Sequence, residues 1–368
     1  MALRVEVLVS IDELTRLCGE WDALAAHCQH PINSYSWCTN ALRHVHRTSD
    51  RPHVLALWNG EHLEALAPLV LVKHSTGFRY EIIGARVLYE PIAILARTTD
   101  AARELGGALV KLRHPVVLTR LPAQSAFNEG FIGRARRAGI LFNPRASGSQ
   151  YVDLRRGWDP YYQGLPSRLK NIIRRGHKQL ARIGEVSFEF IVAEPSNVAA
   201  LLQQAFEVEA RSWKSRTGSA VLLRPDLREF FFSYALDASR RGELLISFLR
   251  LQGAPVAMQI ANIGYGAYWQ LKLGYDECYS KQLVGLQLQL ETIKWSYDRG
   301  LSRYEFLGVA ERWIEEWTRT VHEYRTMHFY PCTFSGLRAA LQDNIARVRD
   351  RLGRTLARPA QAANPQSE

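Results

Sequence analysis

The residues able to do chemistry lie mainly in the second half of this 368-residue chain. Two carboxylates head them. Glu209 stands in Glu209-Ala-Arg-Ser-Trp213-Lys214, on a helical pattern whose inward positions include Phe206 and Trp213. It either projects toward a cleft or pairs in solvent with Arg211 or Arg216. Glu305 alternates with Tyr304 and Phe306, and a charge inside a strand pattern is a candidate general base. Gln259 and Gln270 lie in apolar strands, where an amide lines a cleft or bonds locally. Lys272 and Asp276 flank a strand end, and either hold an acceptor or pair with each other. Tyr275 between them is a candidate acid or a packing aromatic. Trp213, Trp269, Trp313 and Trp317 are expected as core or cleft walls. His177, His322 and His328 are scattered and are not expected to be catalytic.

Ser280-Lys281-Gln282-Leu283-Val284-Gly285-Leu286-Gln287 opens a helix. The first N–H groups of a helix lack partners and its dipole is positive there, so such a start suits an anion. Gly285 would let the backbone approach a phosphate without a Cβ in the way, and Lys281 would add a charge. An ordinary loop-to-helix junction has the same pattern. Neither a G-x-S-x-G elbow nor an H-E-x-x-H pair is present, so no hydrolytic nucleophile or zinc site is indicated.

The elements that must position these groups form a mixed α/β pattern. In the first half, Leu14, Leu17, Trp21 and Leu24 recur at helical spacing. His53–Trp58, the turn Asn59-Gly60 and Leu63–Leu71 predict a hairpin. Strands near Arg79–Ile83 and Val116–Thr119 and a helix over Ala126–Ala138 follow. In the second half, Ser167 is placed to cap a helix with Leu169, Ile172, Ile173, Leu180 and Ile183 on one face, ended by Gly184. Its other face carries Arg168, Lys170, Arg174, Arg175, Lys178 and Arg182. Helices over Asn197–Trp213 and Pro225–Arg241 precede a three-stranded meander, Leu244–Leu249, Pro255–Ile263 and Ala267–Leu273. A helix over Gln282–Arg299 and strands Arg303–Leu307 and Glu323–Tyr330 complete the order. The hairpin around Asn59-Gly60 echoes the one around Gln252-Gly253, which suggests internal duplication. Expected units are 1–150, 151–335, and a tail of 336–368 with a basic helix over Gly336–Leu356 and disorder from Arg358 to Glu368.

A hydrophobic content of 47% with 23% charged residues fits a globular chain. No apolar run reaches membrane-spanning length, and the amino terminus does not read as a signal peptide, so the cytoplasm is expected. Five cysteines without a C-x-x-C pair indicate neither a disulfide framework nor a metal cluster. The net charge of +11 points to an anionic partner: nucleic acid, membrane surface or a phosphorylated ligand. The cations opposite the apolar face of the 167–183 helix could bind tRNA, steer a phosphorylated ligand, or be simply solvated.

Five stretches occur in an order that resembles one family. The basic stretch Leu165–Arg182, Glu209-Ala-Arg-Ser-Trp-Lys214, Gly242-Glu-Leu244, Lys272-Leu-Gly-Tyr-Asp276 and Tyr304-Glu-Phe-Leu-Gly308 are similar to successive signatures of BioF2-like, CelD (BcsL)-like acetyltransferases of the GNAT superfamily, related to Fem-type transferases, and Gln282-x-x-Gly285 resembles the superfamily's Q-x-x-G-x-[GA] loop. The likeness covers about Gly157–Tyr330. Glu305 stands where Asp is usual, and Gln287 where a small residue is usual. The resemblance implies a tandem, duplicated GNAT fold of mixed α/β class with a degenerate first copy. It implies acetyl-CoA or another acyl-CoA as co-substrate, without a metal. The acceptor would be an amino group of a sugar, polysaccharide precursor or small metabolite, in exopolysaccharide or cell-envelope synthesis. Glu209, Glu305 and Tyr275 would be catalytic. Lys281, Gln282, Gly285 and Leu286 would bind the cofactor, and Trp213, Lys214, Gln259, Gln270, Lys272 and Asp276 the acceptor. The alternatives are a Fem-like transferase using aminoacyl-tRNA and a non-catalytic binding protein, for which Gln287 would block the phosphate loop. DNA is not an expected partner.

Overall fold

The computed structural model describes residues 3–75 and 77–356. The first half runs β1 (Leu3–Leu8), α1 (Ile11–Arg16), α2 (Cys18–His27), α3 (Tyr35–His44), β2 (Arg51–Pro52), β3 (Val54–Asn59), β4 (His62–Ala67), β5 (Leu69–His74), β6 (Gly77–Ile82), α4 (Ala85–Leu88), β7 (Leu95–Ala96), α5 (Thr99–Val110), β8 (Val116–Pro122) and α6 (Ala126–Ala138). The rest runs β9 (Gly139–Phe142), β10 (Arg145–Asp153), α7 (Trp158–Gly164), α8 (Ser167–Ala181), β11 (Val186–Val192), α9 (Val198–Ala210), α10 (Trp213–Arg216), α11 (Pro225–Arg240), β12 (Leu244–Leu251), β13 (Ala254–Gly264), β14 (Ala267–Tyr275), α12 (Val284–Asp298), β15 (Arg303–Glu305), β16 (Val321–Pro331) and α13 (Phe334–Leu356). The expected disordered stretch lies outside the described residues, apart from the helix that precedes it.

A four-stranded sheet has the order β1-β3-β4-β7, and a larger one runs β11-β12-β13-β14-β15-β10-β16-β8-β6-β5-β2 with β9 beside β16. The duplication is visible in the pairings. β1, β3 and β4 are successive antiparallel neighbours, β5 pairs antiparallel with β6, and β6 lies parallel to β8 across α5. In the second copy β11, β12, β13 and β14 are antiparallel, and β14 lies parallel to β15 across α12. The meander thus has a fourth strand, β11, which the sequence reading lacked. The expected strand Leu63–Leu71 is split at Pro68. A proline there offers no N–H to the ladder, and the chain passes from the small sheet to the large one. The first hairpin also turns one residue later than expected: Asn59 pairs with His62, so the two loop residues are Gly60 and Glu61. Gln252 and Gly253, with φ of 50° and 80°, make the corresponding turn in the second copy.

The halves are joined in two ways. β16 inserts between β10 and β8, so the sheet runs unbroken past residue 150. Trp37 of α3 packs edge-on against Phe230 and Tyr234 of α11, with ring centroids 4.9 and 4.8 Å away. In α8, Ser167 is the first helical residue behind Pro166 rather than the cap, and Ile183 lies past the helix end, exposed. Leu169, Ile173 and Leu180 are buried as the spacing predicts.

Candidate functional site

The parallel ladder of β14 and β15 lasts three pairs: Ala267 with Arg303, Tyr268 with Tyr304, and Trp269 with Glu305. Beyond Trp269 and Glu305 the strands part. A bulge accompanies the divergence, because Ile260 pairs with Lys272 while Ala261 pairs with Gln270, leaving Leu271 extra on β14. The bulge reverses which side chains face α12. Gln270, Leu273 and Tyr275 line the opening between the strands, while Lys272 and Gly274 turn to α11 and α9.

The opening is a cleft of about 560 Å³. Its walls are Gln270, Leu273 and Tyr275 of β14, Phe306 to Val309 after β15, Trp213 and Lys214 of α10, and Trp313. Val284, Gly285 and Leu286, the first turn of α12, close one end. Leu283 precedes that turn with φ 57° and no side chain caps it, while Gln287 N–H already bonds to Leu283. The first three N–H groups of a 15-residue helix are therefore left for a ligand. A Cβ on Gly285 would sit 3.0 Å from the Tyr275 ring, so the glycine also lets α12 pack against that cleft wall.

Gln287 does not obstruct the loop. It is buried on the α8 side, where its Nε2 donates to the Gln282 carbonyl at 2.7 Å and its Oε1 lies 3.0 Å from His177 Nδ1. α8 comes close enough here that a Cβ on Gly176 would run into the Gln282 carbonyl. The buried face of α8 thus packs on the loop before α12, and Arg168, Arg174, Arg175, Lys178 and Arg182 are exposed on its opposite face. Lys281 is exposed on the same loop, and the Gln282 side chain is half-buried with its Oε1 unpartnered.

Behind the cleft lies a buried polar network. Tyr304 Oη accepts from Gln289 Nε2 at 2.9 Å and lies 2.8 Å from Gln270 Oε1, 3.0 Å from Gln259 Oε1 and 3.1 Å from Thr292 Oγ1. Gln259 also accepts from Tyr268 at 2.9 Å and donates to Gln289 at 3.0 Å. The two strand glutamines therefore differ: Gln270 reaches the cleft, whereas Gln259 only braces it. The helix positions Gln289 and Thr292 were not expected; a polar residue on the buried face of α12 was the signal available.

The carboxylates are distributed differently from either sequence alternative. Glu209 is fully buried, with Lys214 Nζ at 2.8 Å and the Val221 N–H at 2.9 Å. Lys214 also donates to the Leu273 carbonyl at 2.7 Å, tying α10 to β14. Arg211 pairs instead with Asp276 at 2.7 Å, and Arg216 with Glu277. Asp276 also caps the following turn through the Cys278 N–H at 2.9 Å, so it pairs neither with Lys272 nor with anything in the cleft. Lys272 lies over the Phe231 ring at 5.1 Å, and burial lowers its pKa from the ordinary lysine value. Glu305 is on the opposite face of β15 from Tyr304, bonded to His322 Nε2 at 3.0 Å.

The first half contributes groups that the sequence reading missed. Arg120, fully buried in β8, donates to the carbonyls of Tyr89, Ser147 and Gly308. Glu90 accepts the Gly308 N–H. An arginine inside the apolar run Val116–Pro122 was the one clue.

Among known proteins, residues 167–315 match the model of an acetyltransferase (GNAT) domain. No curated protein matches the chain by sequence. Among solved structures, FemX superposes on 90% of this chain and 97% of its own with a TM-score of 0.58 at 9% identity. The C-terminal DUF2156 domain of a candidate lysylphosphatidylglycerol synthetase from Agrobacterium fabrum covers 90% of this chain and 96% of its own, with a TM-score of 0.51 at 12% identity. At these identities the likeness is one of fold. Residues 167–315 thus match a GNAT-type acetyltransferase domain, within a mixed α/β chain that builds the GNAT fold twice.

Proposed function

We propose that the chain transfers an acyl group from acyl-CoA, with acetyl-CoA as the first candidate, to an amino group of a sugar, polysaccharide precursor or small metabolite. Exopolysaccharide or cell-envelope synthesis is the proposed setting, and the cytoplasm, where acyl-CoA is made, the proposed compartment. The observation that carries this reading is the parting of β14 from β15 above the uncapped start of α12. The free N–H groups of Val284, Gly285 and Leu286 suit a pyrophosphate, and Lys281 adds a positive charge at the loop. The edge of β14 beyond Trp269 has no strand partner on its β15 side, so its peptide N–H groups are available to an extended chain and to a thioester oxyanion. Tyr275 lines the cleft and is the proposed acid for a departing thiolate. The chemistry is direct attack of a neutral amine on the thioester, with no covalent enzyme intermediate.

The row of exposed cations on the outer face of α8 favours one second reading, an aminoacyl-tRNA donor. Thermal-shift titration with CoA, acetyl-CoA and charged tRNA separates the two. Stabilisation by CoA and acetyl-CoA is expected. Stabilisation by charged tRNA alone would overturn the acyl-CoA reading, and a response to none of the three would leave a binding protein with a GNAT fold.

A further inference from the structure

Leu307 lines two cavities. One is the cleft on the α12 side of β15. The other, of about 450 Å³, opens on the opposite side between the two halves of the chain. Trp269, Arg303, Glu305 and His322 wall it from the second half, and His30 and Gln124 from the first. We propose that this second cavity receives the acceptor, a compact polar primary amine, and that His322, oriented by Glu305, takes the amine proton. The proposal rests on the acyl-CoA reading of the cleft.

Strand alternation places the two cavities back to back. Within β15 Tyr304 faces α12 while Arg303 and Glu305 face the second cavity; past the strand end Phe306 lines the cleft and Leu307 borders both. Glu305 is the last residue of β15 paired to β14, so its carboxylate stands at the fork where the strands part. Both of its oxygens lie near His322 Nε2, at 3.0 and 3.3 Å. A carboxylate accepts and cannot donate, so Nε2 carries the ring proton and the Nδ1 lone pair is left to accept another. Tyr151 stacks on the imidazole at 4.1 Å and 14°, which fixes the ring plane. Arg303, 3.7 Å from Glu305, supplies a positive charge at the cavity wall.

The step balances without a further reactant. The amine nitrogen adds to the thioester carbonyl carbon, and its proton passes to His322 Nδ1. Collapse of the tetrahedral adduct breaks the C–S bond, and the departing sulfur takes up one proton, giving the amide and the free thiol. The volume is at the lower end of the ~300–1,000 Å³ typical of small-molecule pockets. His30 adds a buried Nδ1 without a protein partner, and burial pushes its pKa down to about 4, so the ring is neutral. These features suit a hexosamine or an amino acid better than a long-chain amine.

The test measures acetyl transfer from acetyl-CoA to a hexosamine, an amino acid and a long-chain alkylamine, with calorimetry of acetyl-CoA binding alongside. Wild-type protein is expected to use one of the first two. His322→Ala is expected to lose about 100-fold or more in kcat, the range of a general base. Its acetyl-CoA Kd should stay within about twofold, and added imidazole should restore part of the rate. Glu305→Gln should lower kcat at unchanged amine KM, and Glu305→Asp should recover part of it. His322→Gln serves if the alanine variant does not fold. Undiminished transfer by a folded His322 variant, loss of transfer that imidazole does not relieve, or use of the alkylamine alone would overturn the proposal. If the wild type fails to bind acetyl-CoA, the cleft reading falls first and this inference with it.

Discussion

Glu90 accepts the backbone N–H of Gly308 at 3.0 Å, so a loop of the first copy holds the turn that forms a wall of the second copy's cleft. Burial raises the Glu90 pKa above the ordinary carboxylate value, opposed first by the Gly308 N–H and then by the charges of Lys272 and Arg120. The sign of the pH effect follows. A carboxyl group whose folded pKa exceeds its unfolded one stabilises the fold fully below the unfolded value. That contribution is lost as pH rises through the folded pKa. Glu90→Gln keeps an oxygen that can accept from Gly308 and removes the ionisation. Expected is a melting temperature that falls less than the wild type's as pH climbs from acid to neutral, with the variant at least as stable at pH 7. Melting curves across that window check it, and a steeper fall in the variant would show that the ionised form is favoured.

Glu209 is expected to act on stability and not as a base. Its carboxylate is spent on Lys214 and the Val221 N–H, and it is not among the cleft-lining side chains. Removing one partner of a buried ion pair costs about 3–5 kcal/mol, because the other charge is left uncompensated. Glu209→Ala should therefore lower the unfolding free energy by about 3 kcal/mol or more, measured by denaturant titration. Activity per folded molecule, below the melting transition, should fall no more than a few-fold. A loss of about 100-fold in kcat at full folding would instead restore Glu209 as a base.

The sequence pattern carried the second copy of the fold well because its elements are amphipathic and bounded by turn residues. Pro225 starts α11, Gly253 and Gly266 turn the meander, and Leu169, Ile173 and Leu180 mark the buried face of α8. The first copy was less legible. α3 was not foreseen because Ser36, Thr39 and Asn40 are polar yet buried, Asn40 bonding to Asp237 of α11, so no apolar stripe announces the helix. In the site, the residues contributed by β14 and α12 follow from local spacing: Gln270, Tyr275, Gly285 and Leu286 meet in one cleft. What spacing cannot give is which face a residue takes after a bulge, and the extra Leu271 reverses every following position of β14, sending Lys272 to Phe231 and Tyr275 to the cleft. Nor can it pair Glu305 with His322, or Glu90 with Gly308, since those contacts arise from strand insertion and docking of one copy on the other.

Tyr304 is the hub of the network behind the cleft, and its hydroxyl is fully buried among Gln259, Gln270, Gln289 and Thr292. Tyr304→Phe keeps the ring stacked on Tyr268 but leaves several buried amides short of a partner. Each such group costs about 1–3 kcal/mol, so a clear drop in melting temperature is expected. Gln270 is also released into the cleft, and the Kd for acetyl-CoA should rise. A melting temperature equal to that of the wild type would mean that water replaces the hydroxyl.

Gly285→Asp tests the anion site directly. The substitution places a carboxylate in the first turn of α12, beside the N–H groups of Val284, Gly285 and Leu286. A negative charge there is favourable to the helix itself, so the fold gains on that account. Against a bound pyrophosphate the same charge repels and competes for the same donors. The Cβ also meets the Tyr275 ring at 3.0 Å, which Gly285→Ala reproduces without the charge. The alanine variant therefore measures the steric part, and the difference between the two variants measures the electrostatic part. The expected result is a CoA Kd at least about tenfold weaker for aspartate than for alanine, equal to about 1.4 kcal/mol. That gap should narrow as salt rises, since partly exposed charges are screened. Calorimetry at low and high ionic strength reads both effects. Equal affinities for the two variants would move the phosphate away from the start of α12 and toward the basic face of α8.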